Sequence, residues 1–338
     1  MTIILKIPFR GLKKITFIMG MFILGFSCKQ NPQPFAQNEN ATKVIVPEFN
    51  ADSAYHYTAM QVAWGPRVPN TVAHQACGTY LAKELRRFGA KVTEQEATLQ
   101  TYDKQTIQAK NIIASFQPEN KNRVLLCAHW DSRPFADQDS DSKYHRTPID
   151  GANDGAGACG ALLEIARQIG ILQPAIGVDL ILFDAEDWGT PEFDKQNYGS
   201  TGWCLGSEYW AKKPHDPNYI ARYGILLDMV SAPNARFYKE YISVQYAGNI
   251  VKKVWETAQA LGYDAFFINK AASGIEDDHL SIIKYRNIPC IDIIQYDPSS
   301  PNGFGDYWHT RNDNMDHVST ETLKAVGQTV LHVVYNEK

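Results

Sequence analysis

Histidine and carboxylate residues follow three short apolar runs of the sequence, and side chains of these types can bind a metal ion or move a proton. The residues concerned are His129, Asp131, Asp184, Glu186, Asp187 and Asp228. If the apolar runs are strands of an open α/β sheet, their carboxyl ends meet at the edge where such sheets bind ligands. We therefore expect these side chains to converge on one crevice.

Asp154 and His309 extend this set of candidate ligands. Asp154 stands in a small-residue segment, Gly151 to Gly155, before a predicted helix, and His309 stands in a late loop. Taken alone, Asp154 could simply cap its helix, but its occurrence together with the other residues favours a metal site. Histidine and carboxylate ligands, in a chain without a Cys-x-x-Cys pair, suit a catalytic zinc ion, whose three protein ligands leave one position open for substrate.

In their order along the chain, these residues resemble the zinc aminopeptidase-like exopeptidases. The matching segments are His129-Trp130-Asp131, Gly151 to Gly155, Glu186-Asp187, Asp228 and His309. The resemblance extends from about Asn111 to the C-terminus. It implies a zinc-dependent enzyme whose site lies at the strand ends.

Within that family, three segments resemble glutaminyl cyclases more than peptidases. They are Glu276-Asp277-Asp278-His279 followed by Arg286-Asn287-Ile288-Pro289, then Trp308-His309-Thr310, and Phe183-Asp184-Ala185-Glu186-Asp187. This resemblance implies that an N-terminal glutamine is cyclised to pyroglutamate with release of ammonia. Peptides or proteins that begin with glutamine are then the expected substrates.

The resemblance to glutaminyl cyclases also implies roles for individual residues. One zinc ion per chain is held by Asp154, Asp187 and His309, although many relatives carry Glu where this chain has Asp187. Glu186 is the general base and acid, because a carboxylate beside a ligand can take a proton from the attacking amine and return it to the leaving nitrogen. Asp228 and Asp277 form a hydrogen-bonded acidic pair, with one of the two protonated.

The small side chain of glutamine requires an apolar pocket, and aromatic residues close to the ligands in sequence are candidates for its walls. They are Trp188, Phe304 and Trp308, for which packing in the core is the other interpretation. We expect His279 to hydrogen-bond within its own loop. The acidic run Asp137 to Asp141 is similar to a calcium loop, but Ser142 stands where glycine is needed, so we interpret it as a solvated loop.

Two other functions use the same residues. In a two-zinc aminopeptidase, His129 and Asp228 would bind a second ion, with Asp154 bridging the two. An inactive peptide receptor could keep the fold, but the presence of Glu186 argues against it, because binding alone has little use for a general base.

The hydrophobic pattern predicts one α/β domain with a mostly parallel central sheet covered by helices on both faces. Continuous apolar runs, typical of strands buried on both faces, lie at Val124 to Ala128, Val178 to Phe183, Tyr223 to Leu227 and Cys290 to Ile294, and β-type alternation extends from Lys91 to Phe116. Helical patterns cover Val72 to Phe88, Gly155 to Ile169, Ala247 to Leu261 and Thr320 to Tyr335. Gly89, Gly170 and Gly262 stand where these helices should stop.

The N-terminus predicts export of the protein. Basic residues precede the apolar run Ile15 to Phe26 and Cys28, as in a secretory signal. We expect a signal peptide at residues 1–28, a flexible tether at 29–46 and a catalytic domain at 47–338. Cys28 is a candidate for lipidation, so the expected location is the periplasm, free or membrane-anchored, and we expect a monomer.

Composition excludes one class of partner. Removal of residues 1–28 takes away Lys6, Arg10, Lys13 and Lys14 and no acid, and this moves the net charge from −4 to −8. A mildly acidic protein is a poor candidate for nucleic-acid binding.

The cysteines predict thiols rather than a disulfide framework. Without Cys28, an odd number of the 6 cysteines remains, so at least one is unpaired within the chain. Glutaminyl cyclases of animals have a disulfide between the segments that carry Cys127 and Cys159 here. Because Cys127 lies two residues before His129 instead of next to it, its side chain should point to the other sheet face. We therefore expect Cys127 and Cys159 to be free thiols.

Overall fold

The structure is a computed structural model that describes residues 44–338. The expected signal peptide at residues 1–28, with Cys28, lies outside the described residues, as does nearly all of the expected tether at 29–46. Within residues 44–338, no helix is both long enough and apolar enough to cross a membrane.

Helices and strands alternate through most of the described chain. The helices are α1 (Ala51–Val62), α2 (Val72–Arg87), α3 (Ala158–Ile171), α4 (Lys195–Tyr198), α5 (Leu205–Lys212), α6 (Tyr241–Ala260), α7 (Asp278–Arg286) and α8 (Thr320–Tyr335). The strands are β1 (Lys91–Gln100), β2 (Thr106–Phe116), β3 (Arg123–His129), β4 (Gly177–Phe183), β5 (Gly224–Asp228), β6 (Phe237–Lys239), β7 (Phe267–Ala271) and β8 (Cys290–Ile294).

The central sheet has 6 strands in the order β1-β2-β4-β3-β5-β8. Strands β4, β3, β5 and β8 are parallel to one another, as the apolar runs predicted. Strands β1 and β2 run antiparallel at one edge, because the short connection between them can join only antiparallel neighbours. The sheet is therefore mixed, with the four predicted apolar runs as its parallel part. Strands β6 and β7 form a separate pair.

Both faces of the sheet are covered, which explains the continuous apolar runs. Along β3, Leu126 and Ala128 face a core that includes residues of α1, α2, α3, α6 and α8. Leu125 and Cys127 face a second core with residues of α5 and α7. Because successive strand residues point to opposite faces, a strand buried on both sides must be apolar throughout.

Two predicted helices differ from the structure at their ends. Helix α3 begins three residues later than expected, at Ala158, because the preceding turn has non-helical backbone at Asp154 and Gly155. Asp154 therefore does not cap the helix. The helix then continues through Gly170 to Ile171, so the predicted stop at Gly170 is wrong; this glycine packs against the backbone of Phe88 instead.

Helix α6 begins earlier than expected, at Tyr241, because the Glu240 side chain accepts hydrogen bonds from the backbone N–H groups of Ile242 and Ser243. A kink at Ala247 marks the start of the predicted helical pattern. Gly262, with φ of +82°, follows the end of α6 as predicted.

The cysteine prediction is confirmed by the geometry of the sheet. Cys127 belongs to the core on one face, and Cys159, in α3, belongs to the core on the other. All cysteines within residues 44–338 are free thiols.

Candidate active site

The carboxyl ends of β3, β4 and β5 place the predicted acids and His129 at one edge of the sheet. Strand β3 ends at His129 and β5 ends at Asp228. Asp131 follows β3, and its carboxylate accepts hydrogen bonds from the backbone N–H groups of Glu186 (3.1 Å) and Asp187 (3.2 Å) after β4. Asp131 thus fixes the orientation of the two acids that the sequence singled out.

Asp154, Asp187 and His309 come together as a candidate metal site. The Nε2 atom of His309 lies 3.5 Å from Oδ2 of Asp154 and 3.3 Å from Oδ1 of Asp187. One donor atom from each residue lies within 4.8 Å of the others, and all three residues are buried. The buried Oδ2 atom of Asp187 has no hydrogen-bond partner in the described structure. One imidazole and two carboxylates of this geometry fit a zinc ion with one open position.

Asp313 and Gly155 determine the conformation of the turn that carries Asp154. Asp313 accepts hydrogen bonds from the backbone N–H groups of Asn153 (2.7 Å) and Asp154 (3.0 Å). Gly155 has φ of +91°, and a Cβ atom there would lie 2.7 Å from the carbonyl oxygen of Asp131 and 2.9 Å from the ring of His129. Only glycine fits this position, so the local sequence explains how Asp154 reaches the strand edge.

Arg133 supports the other side of the metal site. Its side chain is 1% exposed, and its guanidinium donates to Oδ1 of Asp187 (3.1 Å) and to both carboxylate oxygens of Asp137 (2.6 and 3.0 Å). Oδ1 of Asp137 in turn lies 3.7 Å from Nδ1 of His309. Partners of this kind orient metal ligands.

His129, Asp154 and Asp228 form a second group of potential ligands. The Nε2 atom of His129 lies 3.0 Å from Oδ1 of Asp154 and 3.1 Å from Oδ1 of Asp228. Burial favours the neutral ring, but the hydrogen bonds to Asp131, Asp154 and Asp228 outweigh it and raise the pKa of His129 well above its usual value. Asp228 thus has His129 as a hydrogen-bond partner, and its expected pairing with Asp277 stays a prediction.

Glu186 and Asp277 lie side by side at the floor of a cavity. Burial, together with the neighbouring Asp187 and Asp277, raises the pKa of Glu186 well above the value of a free carboxyl group. Burial and the charge of Asp228 raise the pKa of Asp277 in the same direction. Oδ1 of Asp277 accepts from the backbone N–H of Asp278, whereas Oδ2 is buried without a partner. The thiol of Cys204 donates to Oε1 of Glu186 at 3.3 Å.

The cavity has a volume of about 220 Å³ and aromatic walls. Phe304 and Trp308 line it, as the sequence suggested, and Trp203 lines it from the loop before α5. The rings of Trp308 and His309 stack at 3.7 Å, and those of Trp203 and His309 at 6.0 Å. Two of the wall residues thus contact a candidate metal ligand, and the cavity has room for one small side chain.

Residues beside the site have unusual backbone conformations. Ala185, Cys204, Met229 and His309 have φ between 47° and 56°, in the left-handed region that non-glycine residues rarely adopt. Each lies next to or within the group of ligands and acids just described. Strained backbone of this kind concentrates at functional sites.

The sequence of residues 111–334 matches the model of peptidase family M28, which covers well over half of the chain. The chain belongs to peptidase family M28. It is 62% identical to a Zn-dependent exopeptidase from Parabacteroides distasonis, with a TM-score of 0.86, over 87% of this chain and 100% of that one. A glutaminyl cyclase from Tannerella forsythia is 59% identical, with a TM-score of 0.85, over 86% of this chain and 100% of that one.

More distant relatives include glutaminyl-peptide cyclotransferases. A glutaminyl-peptide cyclotransferase from Drosophila melanogaster is 25% identical over 77% of this chain and 75% of the fly protein. Family membership also implies zinc, the metal for which the donor set of Asp154, Asp187 and His309 is suited.

The structure of this M28 member corrects several expectations about individual residues. Trp188 does not line the cavity, since its side chain packs with Val68 and Tyr102 in a separate apolar cluster. His279 does not hydrogen-bond within a loop; it lies on α7, and its Nε2 atom is 3.6 Å from Oε2 of Glu240.

The acidic run at 137–141 is not simply a solvated loop. Asp137 is buried on Arg133, and Asp139 is buried and binds Arg311, whereas Asp141 is half-buried. The ion pairs of Asp137 and Asp139 thus connect this segment to the residues around the candidate active site.

Sequence reasoning missed Trp203, Cys204, Arg133 and Asp313. Trp203 and Cys204 stand at the end of a long loop that carries no periodic pattern, and nothing in the sequence indicates which tryptophan of that region faces the site. Arg133 offered a weak signal, because it follows His129-Trp130-Asp131 by two residues. The positions of the candidate metal ligands in the sequence do not identify the residues that support them.

Proposed function

We propose that this chain cyclises the N-terminal glutamine of peptides or proteins to pyroglutamate and releases ammonia. The observation that carries the proposal is the position of Glu186, which lies beside the Asp154–Asp187–His309 group at the floor of a small cavity with aromatic walls. A cavity of this size admits one side chain rather than a length of peptide. The similarity to the glutaminyl cyclase of Tannerella forsythia supports this interpretation.

In the reaction, the α-amine nitrogen forms a bond to the carbon of its own side-chain amide, and the bond from that carbon to the amide nitrogen breaks. Asp154, Asp187 and His309 would hold a zinc ion, which would supply Lewis-acid polarisation of the amide carbonyl. Glu186 takes the proton from the attacking amine and returns it to the leaving nitrogen. Its raised pKa favours this exchange, because a proton carrier works best with a pKa near the working pH.

We propose that Asp277 and Asp228 form the acidic side of the cavity. Asp277 lies next to Glu186, and its raised pKa favours a neutral carboxyl that can donate a hydrogen bond. Two adjacent carboxyl groups rarely ionise together, because the like charges repel each other. A protonated Asp277 can therefore orient Glu186 or the substrate amine without adding charge. Trp203, Phe304 and Trp308 exclude water from the reacting atoms.

The proposed metal content is one zinc ion per chain. The alternative is a two-zinc aminopeptidase, and one observation favours it: His129, Asp154 and Asp228 also present three donor atoms within 4.8 Å of one another. The two neighbouring acids Asp277 and Glu186 in the cavity favour the cyclase, because a peptidase that uses a metal-bound water needs only one of them.

The test compares a glutaminyl peptide with a leucyl peptide of otherwise identical sequence. The purified protein should release ammonia and form pyroglutamate from the first and release no leucine from the second, with one zinc ion per chain in the same sample. Release of leucine together with two equivalents of bound zinc would refute the cyclase proposal and support the two-zinc aminopeptidase.

We further propose that the protein acts outside the cytoplasm as a monomer. The basic and apolar N-terminus and Cys28 support export and lipid attachment. Mass spectrometry of the membrane-extracted protein is the measurement: an acylated Cys28 at the mature N-terminus supports anchoring, and a soluble form that begins after Cys28 refutes it.

A further inference from the structure

Cys204 lies directly beside the proposed proton carrier. It precedes α5, and its backbone N–H donates to the carbonyl of Glu186 at 2.9 Å. The next residue, Leu205, donates to the carbonyl of Ala185 at 3.0 Å. These two backbone hydrogen bonds fix the thiol with its Sγ atom 3.3 Å from Oε1 of Glu186. The backbone therefore holds the Cys204 thiol next to the Glu186 side chain.

Asp277 completes a group of three potential ligands with Glu186 and Cys204. One donor atom from each residue lies within 4.8 Å of the other two. Asp277 is 4% exposed, and its Oδ2 atom has no hydrogen-bond partner in the described structure. Glu186 and Asp277 also line the cavity. Asp277 thus keeps one carboxylate oxygen without a protein partner, in a residue that lines the cavity together with Glu186.

We propose that Glu186, Cys204 and Asp277 form an inhibitory site for a thiophilic divalent cation, such as cadmium or zinc in excess. One thiolate and two carboxylates are a donor set that zinc accepts, and soft metal ions prefer the thiolate. The group shares no residue with Asp154, Asp187 and His309, so it can fill while the catalytic ion stays in place.

Binding at this site exchanges protons for a metal ion. The S–H bond of Cys204 and the O–H bond of the protonated Asp277 carboxyl break, sulfur–metal and oxygen–metal bonds form, and the protons leave to solvent without any change of oxidation state. The bound ion then occupies the carboxylate of Glu186. Inhibition follows, because Glu186 can no longer take a proton from the substrate amine; this step rests on the proposed function.

Cys204 differs from the other thiols within residues 44–338. Cys77, Cys127, Cys159 and Cys290 are packed in the two cores of the sheet, whereas the Cys204 thiol hydrogen-bonds to Glu186, a residue that lines the cavity. Burial, together with the charge of Glu186, raises the pKa of the Cys204 thiol well above its usual value. Alkylating reagents that need a free thiolate should therefore react slowly with Cys204, whereas a cation held by two carboxylates can displace its proton.

The experiment titrates the zinc-loaded full chain with cadmium chloride and records two signals. One is the rate of pyroglutamate formation, and the other is the ultraviolet charge-transfer absorption of a cadmium–thiolate bond. Cys204→Ser removes the proposed sulfur ligand, and Cys77→Ser is the matched control, since it removes a buried thiol of the hydrophobic core. The difference between variants cancels absorption from other thiols, Cys28 included. Zinc released into solution is measured in parallel.

The proposal predicts that the wild type and Cys77→Ser lose activity as the absorption grows, with the catalytic zinc retained. Cys204→Ser should lack that absorption and need at least about tenfold more cadmium for half inhibition relative to its own starting rate, equivalent to about 1.4 kcal/mol. If the serine variant does not fold, Cys204→Ala is used in its place.

Equal titrations of wild type and Cys204→Ser, in rate and absorption, would overturn the proposal. So would inhibition that follows the release of the catalytic zinc. The absorption does not depend on turnover, so a chain that binds cadmium at Cys204 but forms no pyroglutamate would refute the proposed function and leave the site standing.

Discussion

Replacement of Arg133 by methionine tests whether this buried cation orients the metal ligands. The guanidinium makes three hydrogen bonds to the carboxylates of Asp137 and Asp187, at 2.6, 3.0 and 3.1 Å. Methionine has a similar length but no charge, so both carboxylates stay buried without a cation. Removal of one partner of a buried ion pair costs about 3–5 kcal/mol, and we expect the free energy of unfolding to fall by about that amount.

Arg133→Met should also weaken zinc binding. Loss of a residue that orients a metal ligand typically lowers metal affinity by about 10- to 100-fold, equivalent to about 1.4–2.8 kcal/mol. Arg133→Lys keeps the charge but loses the two-pronged contact with Asp137, so we expect an intermediate affinity. Competition with a chromophoric chelator measures the zinc affinity, and urea unfolding measures the stability.

Arg123→Met is the matched control for this experiment. Arg123 is also buried, and it pairs with the buried Asp179 through two hydrogen bonds of 2.5 and 2.9 Å. It begins β3, at the end of the strand opposite the site. We expect a comparable loss of stability with no change in zinc affinity. Equal zinc affinity in Arg133→Met and Arg123→Met, or tighter binding in Arg133→Met, would refute the reasoning.

Further predictions concern the proton carrier, its neighbour, a helix cap and two thiols. Glu186→Gln should lower the turnover number by about 100- to 10,000-fold with zinc content unchanged; near-normal turnover would contradict the assignment. Asp277→Asn should strongly reduce cyclisation without loss of zinc, and a drop in metal content instead would make it a structural residue. Burial raises the pKa of Glu240, but the nearby His279 and hydrogen bonds from the α6 backbone outweigh this effect and lower the pKa to about 2. The resulting stabilisation, on the order of 3 kcal/mol, is therefore present above pH 4.5 and is lost as the pH falls toward 2, so the stability difference between wild type and Glu240→Gln should shrink over that range in urea unfolding. Cys127 and Cys159 should both be alkylated after unfolding without reductant, and an unlabelled pair in the intact mass would show a disulfide.

The convergence of the acids and His129 at one edge of the sheet could be predicted from the sequence because it follows from local hydrophobic pattern. Strands buried on both faces must be apolar throughout, so β3, β4, β5 and β8 were recognised as runs, and the polar residues that end them had to meet at one edge. Side-chain alternation along β3 placed Cys127 on the sheet face away from Cys159 for the same local reason. The family resemblance added the expected roles of Asp154, Asp187 and His309.

Contacts between distant loops were decided only by the tertiary structure. Trp203 rather than Trp188 lines the cavity, because the loop before α5 folds back over His309, and no periodicity encodes that path. Arg133 is buried beside Asp187 although its position in the sequence suggests an exposed loop. Asp228 hydrogen-bonds to His129, a contact that the sequence did not indicate, since the choice among nearby partners depends on how the strand ends and loops pack. Sequence pattern determines which face of the sheet a residue occupies, whereas the partner it finds there depends on how the loops pack together.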